Sequence, residues 1–187
     1  MQDCIRLIVL GGGGVGKSSC TIYFMKRIFV EEYDPTVEDY HRKQIMFAEN
    51  PVLVEIIDPT SGEEYCTMRD QFIRHSEGFL IFYSITCNSS FEQVQSFVEK
   101  VQRAKDADSC PWIMIGNKCD LESERQVETH EGEKMAEKYG ALFFETSAKF
   151  GINVDEAVYA LVSEVYQFRE KNEIRVAPKA RKQCVIC

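Results

Sequence analysis

Short apolar blocks alternate along the chain with longer stretches whose apolar positions recur at helical spacing. Ile5–Leu10 predicts a short strand, and Lys17–Ile28 predicts a helix opened by glycines. Gln44–Phe47 and Val52–Ile57 predict two strands of an antiparallel hairpin joined at Asn50-Pro51. Phe79–Ser84 and Trp112–Gly116 are continuous apolar runs, the pattern of central strands buried on both faces. Leu142–Phe144 is a further short strand. Ser90–Arg103 and Val127–Tyr139 predict helices. The strongest helix is Asn153–Phe168, where Val154, Ala157, Val158, Leu161, Val162, Val165 and Phe168 fall on one face. Strands alternating with helices imply βαβ units, and therefore an α/β fold around a largely parallel sheet. Beyond about Glu170 the periodicity fades and Pro178 follows, so residues 1–170 read as one domain and 171–187 as a flexible tail.

Composition narrows the class. The 187 residues are 44% apolar and 28% charged, as expected for one folded domain with a sizeable core. No apolar run approaches the roughly 18 residues of a membrane span. The opening Met1–Arg6 lacks the pattern of a secretory signal, so residence in the cytosol is expected. The eight cysteines show no paired metal-ligand spacing, which suits free thiols in a reducing compartment. The net charge of −8 is uneven: Lys171, Arg175, Lys179, Arg181 and Lys182 stand against Glu173 alone, so residues 171–183 carry +4 and the rest −12. An acidic body argues against nucleic acid as the partner.

The segment Gly11-Gly12-Gly13-Gly14-Val15-Gly16-Lys17-Ser18 fits G-x-x-x-x-G-K-[ST] and lies between a strand and a helix, the context that motif requires. Its glycines let backbone N–H groups turn inward around phosphate oxygens, and the helix N-terminus adds favourable dipole charge. Lys17 is placed to reach the β- and γ-phosphates, Ser18 to ligate Mg²⁺, and Ser19 to follow in the same phosphate-binding turn. Asn117-Lys118-Cys119-Asp120 follows the next central strand. A carboxylate at Asp120 accepts hydrogen bonds from the N1–H and 2-amino group of guanine, a donor pair that adenine lacks. Asn117 and Lys118 can tie this loop to the phosphate loop, with the Lys118 stem on the base. In Glu145-Thr146-Ser147-Ala148-Lys149 the Ala148 N–H can meet guanine O6, flanked by Ser147 and Lys149. Both loops follow strands, where open α/β sheets bind ligands.

With these residues in place, the chain resembles the Ras family of small GTPases over about residues 1–170. The resemblance rests on GGGGVGKS, Phe29, the run from Tyr33 to Asp39, Asp58, Glu63-Glu64-Tyr65, NKCD and ETSAK. It implies a P-loop nucleotide-binding fold with a six-stranded mixed, mostly parallel sheet flanked by five helices. It implies GTP or GDP held with Mg²⁺, Phe29 packed edge-on against the base, and Tyr33 beside the nucleotide. Thr36 would close on Mg²⁺ and the γ-phosphate, and Asp58 would hold a Mg²⁺-bound water. It also implies an exchange factor, a possible GTPase-activating protein and effectors. The effector-facing segment is Tyr33, Asp34, Pro35, Thr36, Val37, Glu38, Asp39, Tyr40 and His41, where Tyr40-His41 replaces the Ser-Tyr typical of Ras and Rap. Glu38 and Asp39 there point to a basic effector surface.

The second switch departs further. The family pattern Asp-Thr-Ala-Gly-Gln-Glu-Glu-Tyr is here Asp58-Pro59-Thr60-Ser61-Gly62-Glu63-Glu64-Tyr65. Ser61 takes the place of the mobile glycine, whose backbone meets the γ-phosphate, and Gly62 that of the glutamine that orients the attacking water. The residues expected to carry hydrolysis are therefore Lys17, Thr36 and the altered position Gly62. Slow intrinsic hydrolysis is expected, and a nucleotide-locked binding module with negligible turnover is the alternative. The ending Cys184-Val185-Ile186-Cys187 fits C-a-a-X. Prenylation of Cys184, preferably farnesyl, with the basic stretch as second signal, predicts a lipid anchor on the cytoplasmic face of the plasma membrane.

Overall fold

The computed structural model describes residues 3–30, 39–59, 66–106 and 110–176. Six strands form one sheet in the order β2-β3-β1-β4-β5-β6. They are β1 (Asp3–Gly11), β2 (Asp39–Phe47), β3 (Asn50–Asp58), β4 (Gly78–Ser84), β5 (Trp112–Asn117) and β6 (Leu142–Thr146). Only the β2–β3 pairing is antiparallel; β1, β3, β4, β5 and β6 run parallel to one another. The helices are α1 (Lys17–Lys26), α2 (Cys66–His75), α3 (Asn88–Glu92), α4 (Val94–Lys105), α5 (Thr129–Lys138) and α6 (Val154–Val176). Gln93 separates α3 from α4 yet keeps helical angles (φ −71°, ψ −19°), so these two form one bent body and five helical bodies flank the sheet. The expected α/β architecture is therefore present.

The alternation within each strand builds two cores. Leu7, Val9, Leu80, Phe82, Ile113 and Ile115 face α1 and α6, meeting Phe24, Ala157, Leu161 and Val165. Ile8, Leu10, Phe79, Ile81 and Met114 face the other way, meeting Ile73, Val98, Val101 and Ala136. Every residue of β4 and β5 is buried, as their unbroken apolar runs require.

Among the boundaries that differ from the sequence expectation, four have a clear physical cause. The hairpin turn is Ala48-Glu49, both with positive φ (46° and 66°), rather than Asn50-Pro51; Pro51 instead pairs with Met46 inside β3. Two consecutive left-handed residues make a primed turn that matches strand twist. The strand β2 begins at Asp39 instead of Gln44, because Arg42 is neutralised across the ladder. Arg42 Nη2 lies 2.7 Å and Arg6 Nε 3.0 Å from the buried Glu55 carboxylate. Burial alone would raise the Glu55 pKa, but the two guanidiniums outweigh it and hold it below its ordinary value. The first helix stops at Lys26, two residues early, because Arg27 adopts a left-handed conformation and its N–H closes on Tyr23 O. Finally, α6 runs to Val176, past the expected end at Phe168; Pro178, two residues on, disfavours continuation.

Candidate functional site

Because five strands are parallel, their carboxyl ends share one edge, and Gly11, Asp58, Asn117 and Thr146 end β1, β3, β5 and β6 there. The phosphate-loop residues Gly11, Gly12, Gly13, Gly14, Val15 and Gly16 span the turn from β1 into α1. Gly14 (φ +71°) and Gly16 (φ +93°) hold left-handed angles that shape a concave backbone. A Cβ at Gly16 would lie 2.2 Å from Asn117 Nδ2, so only glycine fits there. At Gly13 and Gly14 a Cβ would meet nothing within 4 Å among the described residues, leaving the loop open.

Lys17 is 7% exposed, and its Nζ donates to the carbonyls of Gly11 (3.1 Å) and Gly12 (2.8 Å). The ammonium is thus held within the glycine loop, where phosphate oxygens would be received. Ser18 and Ser19 open α1 and are half-buried; Asp58 is buried at the end of β3. A hydroxyl and a carboxylate are hard oxygen donors, and Mg²⁺ commonly takes few protein ligands beside phosphate oxygens. Ser18 and Asp58 therefore fit such an ion. Thr36, the third expected ligand, lies outside the described residues, as do Tyr33 to Glu38, Ser61, Gly62 and Cys184.

The base side is bound into the same unit. Asn117, 1% exposed, donates through Nδ2 to Val15 O at 2.9 Å and accepts from Thr146 Oγ1 at 3.0 Å. Cys119 N donates to Thr146 O at 3.0 Å, so the loop after β5 is pinned to β6. Lys118 takes φ +67°, turning the chain so that Asp120 follows half-buried. Ser147 and Ala148 are buried, and Ser147 Oγ accepts from Phe150 N at 3.2 Å. Lys149 is exposed, with its Nζ above the Phe150 ring. Phe29 stands partly exposed just beyond α1.

A Ras family model matches residues 6–167. The chain belongs to the Ras family. Membership supports a small GTP-binding switch; Ras-family proteins in general hydrolyse GTP, bind GTP and GDP with Mg²⁺, and engage effectors, exchange factors and activating proteins.

Three contributors have no motif to announce them. Arg125 fixes the ETSAK strand by pairing with Glu145 at 2.7 Å, a bond that raises the guanidinium pKa. Gln93 approaches the phosphate loop, since a Cβ on Gly12 would lie 3.1 Å from its Oε1. The Cys20 thiol, on α1, donates to Asn117 Oδ1 at 3.4 Å. Burial raises its pKa to about 12. On the effector side, Asp39 pairs opposite Asp58, while Tyr40 is 52% exposed with its ring edge-on to Phe72. His41 is part of the same edge strand.

Proposed function

We propose that this Ras-family protein is a signalling switch whose GTP form persists because intrinsic hydrolysis is slow. The observation that carries the reading is Gly62 at the position of the water-orienting glutamine. Glycine has no side chain to align the nucleophile. Ser61 adds a Cβ where the family has a mobile glycine, which narrows the backbone range there. Pro59 fixes φ and removes an N–H at the start of the same loop. The open wall at Gly13 leaves room for an activating protein to supply the missing group. The GTP form recruits effectors through the first switch segment and the β2 edge. The prenylated Cys184 and the basic stretch hold the protein on the cytoplasmic face of the plasma membrane.

Single-turnover hydrolysis of bound GTP tests the reading. Gly62→Gln, alone or with Ser61→Gly, should raise the rate roughly 10- to 100-fold. A wild-type rate equal to that of both variants would reject slow hydrolysis. The alternative, a nucleotide-locked module, predicts no measurable turnover in the wild type.

A further inference from the structure

The Asn117 side chain has two N–H donors and a carbonyl oxygen with two lone pairs. One N–H holds Val15 O. Both lone pairs are also engaged: Thr146 Oγ1 donates at 3.0 Å and Cys20 Sγ at 3.4 Å. Cys20 Sγ also lies 3.9 Å from Thr146 Oγ1, a contact in which either group can donate; with the Thr146 hydrogen directed to Asn117 Oδ1 at 3.0 Å, the thiol hydrogen has that same oxygen as its nearer acceptor. All three side chains are buried, Cys20 being 4% exposed, so a lone pair left unsatisfied here would not be recovered by bulk water. The orientation of the amide is what matters. Turned over, it would set its carbonyl against Val15 O, and the bond joining the two nucleotide loops would become a repulsion.

We propose that Cys20 is a positioning residue for guanine-nucleotide retention, its thiol acting as the second donor that holds Asn117 in the orientation linking the phosphate loop to the base-reading loop. Its place in α1 makes this possible. Cys20 lies one turn after Gly16, to whose carbonyl its own N–H bonds at 3.0 Å, so the helix that begins with the phosphate-binding residues carries the thiol to the far side of Asn117. Besides Cys20, α1 buries Lys17, Thr21 and Phe24; Thr21 Oγ1 donates to Lys17 O at 3.0 Å, Lys17 Nζ to the carbonyls of Gly11 and Gly12, and Phe24 lies under the Lys43 ammonium. An aliphatic residue at position 20 would fill the space and leave Oδ1 one donor short. The thiol is protonated at neutral pH and able to donate, though more weakly than a hydroxyl. This role rests on the guanine-nucleotide site described above.

The test is the rate at which full-length protein, loaded with a fluorescent GDP analogue in the presence of Mg²⁺, releases it into excess unlabelled GDP. Ala and Ser are close in volume and both leave space beside Asn117, so they differ mainly in the hydroxyl donor. Cys20→Ala should speed release about 2- to 5-fold, whereas Cys20→Ser should stay within about twofold of wild type. In an Asn117→Ala background, Cys20→Ala should add nothing, because its effect runs through the amide that is no longer there. Equal release from the Ala and Ser variants would overturn the proposal, and so would an undiminished effect of Cys20→Ala in the Asn117→Ala background. Failure of the wild type to bind the labelled GDP would reject the nucleotide site itself, and the role of Cys20 with it.

Discussion

Asn117 Nδ2 donates to the main-chain carbonyl of Val15 at 2.9 Å, which makes the base-reading loop and the phosphate loop parts of one rigid frame. On the nucleotide-binding reading proposed above, this bond links base selectivity to phosphate affinity. The guanine contact itself is assigned to Asp120, which stands three residues after this tie.

Asp120→Asn should shift preference from guanine toward xanthine nucleotides, because an amide donates where a carboxylate only accepts. A displacement assay against bound GDP reads this directly. GTP should displace it and ATP should not; equal competition by ATP would reject the base-reading assignment.

The edge strand β2 carries exposed main-chain groups beside Tyr40 and His41, suited to pairing with a partner strand. Replacing Glu38 and Asp39 together with Lys should abolish GTP-dependent capture of effectors. Binding to the wild type should weaken as salt rises, since Glu38 and Asp39 call for a basic complementary surface. Unchanged capture by the double variant would place the effector surface elsewhere.

Tyr83 supplies a stability prediction. Its hydroxyl is buried with no hydrogen-bond partner among the described residues, and burial pushes the phenol pKa well above its ordinary value. A Cβ at Gly116 would lie 2.7 Å from that oxygen and one at Gly132 2.6 Å, so two glycines make the room it occupies. Tyr83→Phe removes an unsatisfied polar atom and should leave stability unchanged or raise it by about 1 kcal/mol in urea unfolding. A loss of that size would show that the hydroxyl is satisfied in solution.

Cys184→Ser should release the protein from membranes to the soluble fraction. One prenyl chain anchors only marginally, so neutralising Lys179, Arg181 and Lys182 should also weaken attachment, each basic residue near an anionic leaflet contributing about 1 kcal/mol. Fractionation of cells expressing each variant measures both effects, and membrane attachment that survives Cys184→Ser would contradict lipidation at that residue.

The sheet was legible where burial is total. All of β4 and β5 is enclosed, so Phe79–Ser84 and Trp112–Gly116 contain no charged position to blur the pattern. The hairpin turn was not legible, because Ala48 and Glu49 are not residues that ordinarily mark left-handed turns, while Asn50-Pro51 beside them is a strong but misleading signal. The helix α2 carries little apolar periodicity: Ile73 is its only fully buried apolar residue among those whose side chains are described. The candidate nucleotide site is marked in the sequence by short runs whose spacing suits close backbone approach to a ligand. Cys20, Gln93 and Arg125 were not, because each acts as a single side chain brought in by tertiary packing, and nothing in its local sequence marks it.

The central claim concerns the nucleotide that the protein keeps. Wild-type protein produced in bacteria and purified with Mg²⁺, without added nucleotide, should carry guanine nucleotide with GTP in excess over GDP. The Ser61→Gly, Gly62→Gln double variant prepared alongside should carry mainly GDP. Wild-type protein that carries mainly GDP, in the same proportion as that double variant, would contradict the account.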